Sequence, residues 1–270
     1  KIAVRPSAPA FTSSASSAGC STSTKRVTDP QPIQPTGGER LSRIRRRIGS
    51  HMVSSKATSP HVLTAMEVDY ESVETVRRAH RSLWKESEGF SLTYLPFIIH
   101  AVARSLADFP RINASVNDSD LVIHDEINVG VAVDLDFEGL VVPVIREVDE
   151  LPLIELARQI VHVAERAHAM KLAPDDMAGG TFTITNAGPF GTLLQFPIIN
   201  QPQVAILSTD GVSRKPAVVT DAEGNESIKI RSIGILALAW DHRAFDGAYA
   251  ASFLGRIREL IECTDWESEI

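Results

Sequence analysis

The residues best placed to do chemistry lie in the segment DHRAFDG, residues 241–247. His242 follows a long apolar run, and Asp246 comes four residues later. An imidazole titrates near neutral pH, so it can take a proton from a reacting group and give it back. A nearby carboxylate can hold that ring in one tautomer. Asp246 could instead order the loop by pairing with Arg243. Histidine and aspartate at this spacing also occur on ordinary surfaces, so the pair alone leaves both roles open. The flanking elements are more informative. SIKIRSIGILALAWD (227–241) reads as a strand, and GAYAASFLGRIRELIE (247–262) as a helix with Ala250, Phe253, Leu254, Ile257 and Leu260 toward a core. A strand before the histidine and a helix opened by Gly247 after it would hold the ring while leaving it reachable.

Other candidates are weaker by themselves. Thr181, Thr183 and Thr185 alternate along GTFTITNAG (180–188), as β-branched residues of a strand commonly do. Asn186 and Gly188 suit the turn that follows. GPFGT (188–192) places Gly188 and Gly191 where backbone can approach a ligand, or simply where a loop bends. In LSRIRRRIGSHMVSS (41–55), Leu41, Ile44, Ile48 and Met52 form an apolar stripe opposite Arg43, Arg46 and Arg47. That basic face is either solvated or set against an anionic ligand or a neighbouring subunit. His162 and His168 are six apart, which is not the spacing of a helical metal pair, and no metal site is expected. Cys20 and Cys263 form no disulfide framework.

The chain has 270 residues, 43% of them hydrophobic, and a formal net charge of −7. That acidic balance argues against nucleic acid or an anionic membrane as partner. No apolar run reaches the length of a membrane span. Residues 1–39 are rich in Ser, Thr, Pro and Gly and read as a flexible linker or arm; residues 40–270 read as one folded domain. Strands are expected at 61–70, 112–117, 120–125, 127–135, 139–145, 180–188, 203–209 and 214–219. Further helices are expected at 71–86, 91–109 (with Ser91 near its cap) and 151–171. Several strands follow one another directly, which favours a two-layer α/β sandwich, with helices packed on one face of a mixed sheet. Neither a dinucleotide fingerprint nor a phosphate-binding GxxxxGK[ST] loop is present.

DHRAFDG followed by a helix resembles the active-site motif of the dihydrolipoamide acyltransferases, the E2 components of 2-oxo acid dehydrogenase complexes. LSRIRRRIGSHM, FPRINAS, INVGVAVDLDFEGLVVPVI, GGTFTITNAGPFG and IINQPQVAIL resemble the same family in the same order. The resemblance covers about residues 40 to 270 and implies a chloramphenicol acetyltransferase-like fold. It implies that His242 is the general base, that Thr185 donates to an oxyanion, and that Asp246 supports the site. CoA would be a substrate, with Arg46, Asn186, Gly188 and Gly191 as candidate contacts. The lipoyl group would be carried on a domain absent from this chain. The implied assembly is a homotrimer with His242 and Thr185 contributed by neighbouring subunits, and 24- or 60-subunit cores as larger alternatives. E1 decarboxylase and E3 dihydrolipoamide dehydrogenase would bind around it. A bacterial or archaeal cytoplasm is favoured over the mitochondrial matrix. Two departures stand out: Ser208 replaces a glycine common in relatives, and the end CTDWESEI is more polar than expected, which weighs against a large closed cage and leaves a bare trimer as an alternative. The motifs do not choose among acetyl, succinyl and branched-chain acyl groups, nor among pyruvate dehydrogenase and its sister complexes. An acyltransferase acting on a free small acceptor and an inactive E2-like scaffold remain as alternatives.

Overall fold

A computed structural model describes residues 37–270; Cys20 and residues 1–36 of the expected linker lie outside the described residues. The elements run α1 (Arg43–Thr58), β1 (His61–Asp69), α2 (Glu71–Glu88), α3 (Leu95–Asp108), β2 (Ala114–Asn117), β3 (Asp120–Ile123), β4 (Val129–Val131), β5 (Val133–Asp134), β6 (Leu140–Val141), β7 (Val144–Ile145), α4 (Leu153–His168), β8 (Phe182–Asn186), β9 (Ala205–Thr209), β10 (Ser213–Thr220), β11 (Glu226–Asp241) and α5 (Gly247–Cys263). The main sheet has the order β1-β11-β9-β8-β4-β7, with β10 paired to the first half of β11. The β8 strand is parallel to β4 and β9, whereas β11 is antiparallel to β1, β9 and β10. The sheet is therefore mixed, as expected.

Period-two alternation divides the strands between two faces. Leu236, Leu238 and Trp240 of β11, with Ala205 and Leu207 of β9, enter the large core beneath α2, α3, α4 and α5. Ala239 and Ile206 face the other way and close over a small cluster with Leu63 and Ile199. The α1 helix anchors there through Ser55, whose hydroxyl donates to the Ile199 carbonyl at 2.6 Å. Aromatic edges lock the far side: Trp266 meets Phe97 at 5.2 Å between centroids and donates from its indole to the Ile261 carbonyl.

Three elements differ from the sequence reading. Leu41 lies outside α1 and is exposed, because the Ser42 side chain takes the Arg45 amide and starts the helix there. The α3 helix begins at Leu95, not near Ser91, since Pro96 lacks an amide hydrogen and fits only a first turn. The runs 127–135 and 139–145 are each two short strands. Val131 donates to Pro143 while Ala132 donates to Ile184, so the chain changes neighbours in one step. Pro143 separates β6 from β7 because it cannot continue a ladder.

Gly234 sits opposite Val68 in β11. A Cβ there would lie 2.9 Å from the ring of buried Tyr70 and 3.1 Å from Val212. Gly234→Ala is expected to lower unfolding stability by about 1–3 kcal/mol, read as a lower urea midpoint at unchanged slope.

Candidate active site

His242 is the first residue after β11. Its amide donates to the Pro60 carbonyl at 3.1 Å, one step beyond the last ladder pair, His61 with Asp241. The imidazole rests on Trp240, with ring centroids 4.9 Å apart, and Trp240 stacks in turn on Phe245 at 5.1 Å. Trp240 is buried and donates to the Thr64 hydroxyl at 3.1 Å, so the floor under the imidazole is fixed at both edges. The His242 side chain is still 49% exposed. Asp246 Oδ1 lies 3.6 Å from His242 Nδ1, too far for a hydrogen bond. Asp246 also caps α5 through its backbone carbonyl, which accepts from Tyr249 and Ala250.

Arg243 does not pair with Asp246. Its guanidinium forks onto Asp241, with Nη2 to Oδ2 at 2.6 Å and Nε to Oδ1 at 3.0 Å, and its amide adds a bond at 2.9 Å. Asp241 is 1% exposed. Burial by itself would raise this carboxyl; the bonds from Arg243 and Ser59 outweigh it and hold the group below the usual carboxylate range. Ser59 also accepts from Gln201 at 2.6 Å. Its carbonyl meets His61 Nδ1 at 2.8 Å, while His61 Nε2 accepts from the Ile199 amide at 3.0 Å. The segment before β1 is thus tied on one side to the His242 turn and on the other to the 199–201 loop. Asp241 stood in the motif without an assigned role; a carboxylate closing an apolar strand two residues before an arginine was the available signal.

Thr185 is half-buried near the end of β8. Its two companions in the stripe are occupied. Thr181 bonds with the Asn128 backbone, and Thr183 donates to Gln203 at 2.6 Å. The Thr185 hydroxyl has no hydrogen bond among the described residues and opens on a cleft of about 310 Å³. Asn186 also lines the cleft, while its side chain accepts from the Gly188 amide at 3.0 Å and so shapes the turn. Gly191 takes φ +71°, which favours glycine at the end of that turn. Buried Asp210, which carried no assignment, holds the following loop by accepting from Thr192 at 2.7 Å and from the Gln195 amide at 3.2 Å. Arg46 is exposed on α1 and pairs with no acid among the described residues; its neighbour Arg45 reaches the cleft instead, donating to the Phe137 carbonyl at 2.9 Å.

The two halves do not meet within one chain. Thr185 pairs with Ser208, and Ser208 with Ala237, five residues before His242. Strand geometry puts them about 16 Å apart along the sheet and about 10 Å across it, roughly 19 Å in all. No cluster of three or more His, Cys, Asp or Glu residues able to hold a metal occurs among the described residues.

The family model described as 2-oxoacid dehydrogenases acyltransferase (catalytic domain) matches residues 34–268. The chain belongs to this family. It is 39% identical over 234 residues to the dihydrolipoyllysine-residue acetyltransferase component of the pyruvate dehydrogenase complex of Mycobacterium tuberculosis, covering 86% of this chain and 42% of that protein. The lipoamide acyltransferase component of the branched-chain alpha-keto acid dehydrogenase complex of Bacillus subtilis is 34% identical over 255 residues, 91% of this chain and 59% of that one. The chain therefore spans about half the length of these relatives. A solved structure of Azotobacter vinelandii dihydrolipoamide acetyltransferase superposes with a TM-score of 0.79 at 33% identity, covering 86% of this chain and 93% of that one. That structure belongs to a study of a serine, a histidine and an asparagine in the catalytic mechanism of the Azotobacter enzyme.

Asp241→Asn removes the charged acceptor of a pair whose arginine is 37% exposed, so it is expected to lose about 1–3 kcal/mol of stability at neutral pH. The Asp241 carboxyl is depressed in the folded state. Its contribution is present above the unfolded carboxylate value of about 3.9 and disappears as pH falls through the lower folded value. Urea melts of the wild type and Asp241→Asn should differ at pH 7 and converge as the pH drops below about 4.

Proposed function

We propose that this chain transfers an acyl group between a dihydrolipoyl thiol and CoA, as the catalytic core of a 2-oxo acid dehydrogenase complex. The observation that carries this reading is the pairing of a rigidly floored, reachable His242 with an unengaged Thr185 hydroxyl at the opposite end of the sheet. A closed trimer lets one chain's histidine half complete its neighbour's threonine half. The Azotobacter enzyme's histidine and asparagine are four residues apart, as His242 and Asp246 are here.

In this mechanism Asp246 lies beside Nδ1, which leaves Nε2 of His242 facing the thiol. Nε2 takes the thiol proton, and the thiolate attacks the thioester carbonyl carbon. The carbonyl oxygen becomes an oxyanion that accepts from the Thr185 hydroxyl of the adjacent subunit. Collapse breaks the original carbon–sulfur bond, and the departing thiolate recovers the proton from His242. A thioester is exchanged for a thioester, so proton transfer and charge stabilisation suffice. Asp246 supports the imidazolium by charge, and the Asp241–Arg243 pair keeps the turn in place. Arg46, Asn186, Gly188 and Gly191 remain the assigned CoA contacts.

The homotrimer is the proposed unit, with 24- or 60-subunit cores as larger alternatives. Trp266 is buried against the chain's own α3, and Ile270 packs on the same core. Residues 1–39 would serve as the linker to lipoyl- and subunit-binding domains. E1 and E3 would dock on the assembled complex. The bacterial sources of the relatives favour a cytoplasmic setting.

Transfer from acetyl-, succinyl-, isobutyryl- and isovaleryl-CoA to free dihydrolipoamide tests the reaction and identifies the acyl group. His242→Ala should reduce kcat by about 10²–10⁴-fold, and Thr185→Ala by about 10²-fold. Co-assembling the two inactive variants in equal amounts should restore roughly a quarter of wild-type activity, because random association in a closed ring leaves that share of sites with both groups. No recovery in verified mixed trimers would refute a shared site. Absence of transfer by folded wild type would move the function to another acceptor or to scaffolding.

A further inference from the structure

The turn beside Thr185 has an expensive backbone. The Leu135 carbonyl accepts from the Glu138 amide at 2.9 Å, and the two residues between, Asp136 and Phe137, have φ of +51° and +68°. Positive φ at both positions is the left-handed region, where Gly and Asn are favoured. A bulky residue there is an outlier. Two groups hold it in place. Asp134 Oδ2 accepts from the Phe137 amide at 3.1 Å, and Arg45 Nη2 donates to the Phe137 carbonyl at 2.9 Å. Arg45 belongs to α1, so the second restraint comes from a distant part of the chain. The Phe137 ring itself is 77% exposed. It approaches only the Phe190 ring among the aromatic pairs of the described residues, at 6.3 Å. Strain kept at an exposed ring beside a reactive hydroxyl points to a use for the ring.

The cleft chemistry indicates what the ring meets. Phe137, Leu140 and Phe190 line it together with Thr185; Asp134 contributes a carboxylate, and no lysine or arginine is in the lining. The two thiol substrates differ in kind. The CoA arm carries two amides and leads to phosphates. The dihydrolipoyl arm is a saturated chain with one amide at its far end. A wall of aromatic and aliphatic carbon suits the hydrocarbon of the second. We infer that Phe137, with Phe190, is the surface that receives the hydrocarbon arm of the dihydrolipoyl substrate, and that Arg45 and Asp134 are positioning residues for it. This inference rests on the acyl-transfer reading.

Phe137→Gly removes the ring and the strain together, since glycine is at ease at this φ. With the wild type's preferred acyl-CoA as donor and free dihydrolipoamide as acceptor, the KM for dihydrolipoamide should rise about five- to tenfold. The acyl-CoA KM and kcat should stay within about twofold, and the melting temperature should equal or exceed that of the wild type. Arg45→Ala should raise the same KM to a smaller degree without moving the acyl-CoA KM. An active wild type with unchanged dihydrolipoamide KM in Phe137→Gly, or an equal rise in both KM values, overturns this inference alone. A wild type without transfer activity overturns the acyl-transfer reading along with it.

Discussion

The antiparallel pairing of β11 with β9, beside the parallel pairing of β9 with β8, governs the geometry of the protein. Two strands that run together place their ends on one side of a sheet; a strand that runs back places its end on the other. Thr185 near the end of β8 and His242 just past the end of β11 are therefore carried to opposite edges by hydrogen-bond direction alone. No side-chain rotation closes a gap of roughly 19 Å fixed by ladder register. Slipping β11 by one residue would turn Leu236, Leu238 and Trp240 out of the core, so the register is held by burial as well as by backbone bonds. The proposed chemistry, which needs both groups, would have to be shared between copies.

Each edge then has its own device for holding a reactive group still. At the histidine edge, the turn after β11 is fastened to the residues before β1. The Pro60 carbonyl, the Ser59 hydroxyl and the Arg243 fork all converge on the two residues Asp241 and His242. Burying Asp241 is unfavourable by itself, and the bonds from Arg243 and Ser59 reverse the balance. The result is an imidazole whose backbone cannot drift while half of its ring stays in solvent. At the threonine edge, Asp210 plays the corresponding part, gathering Thr192 and the Gln195 amide so that the loop after β8 stays folded back beside the cleft.

Much of this was legible in the sequence wherever one local pattern carried the information. The strand–turn–helix around His242 followed from an apolar run ending at Asp241 and a helical stripe from Ala250 to Leu260. The Thr181–Thr183–Thr185 alternation placed all three on one strand, but their different fates depend on Asn128 and Gln203, which lie far off in the chain. The pairing of Arg243 with Asp246 was one of two roles that the motif left open; the fork goes to Asp241 instead, and it follows from the turn geometry and from Ser59, some 180 residues earlier. The turn at 135–139 contains Gly139, which is not one of its left-handed residues. Gly139 instead leaves room for Ile44, which would touch a Cβ there at 3.3 Å, while the positive φ angles fall on Asp136 and Phe137. Backbone sign at a phenylalanine has no compositional signature.

The two unfavourable features of the fold, a buried carboxylate and a left-handed phenylalanine, thus sit at the two edges, each next to one reactive group. A carboxylate at 241 could be replaced by an apolar residue, and Phe137 by glycine, with no loss of a core contact by the ring. Glycine at 137 would relieve the folded state of a cost, whereas an apolar residue at 241 would leave the Arg243 guanidinium and amide without their acceptor. Neither would leave the proposed site the same, because the His242 turn would lose its fastening and the cleft would lose its wall. Selection for folding alone has no reason to retain Phe137. The two-chain site proposed above would require such placement: each half would have to be in position before the other arrives, since neither could be moulded by a partner group in its own chain.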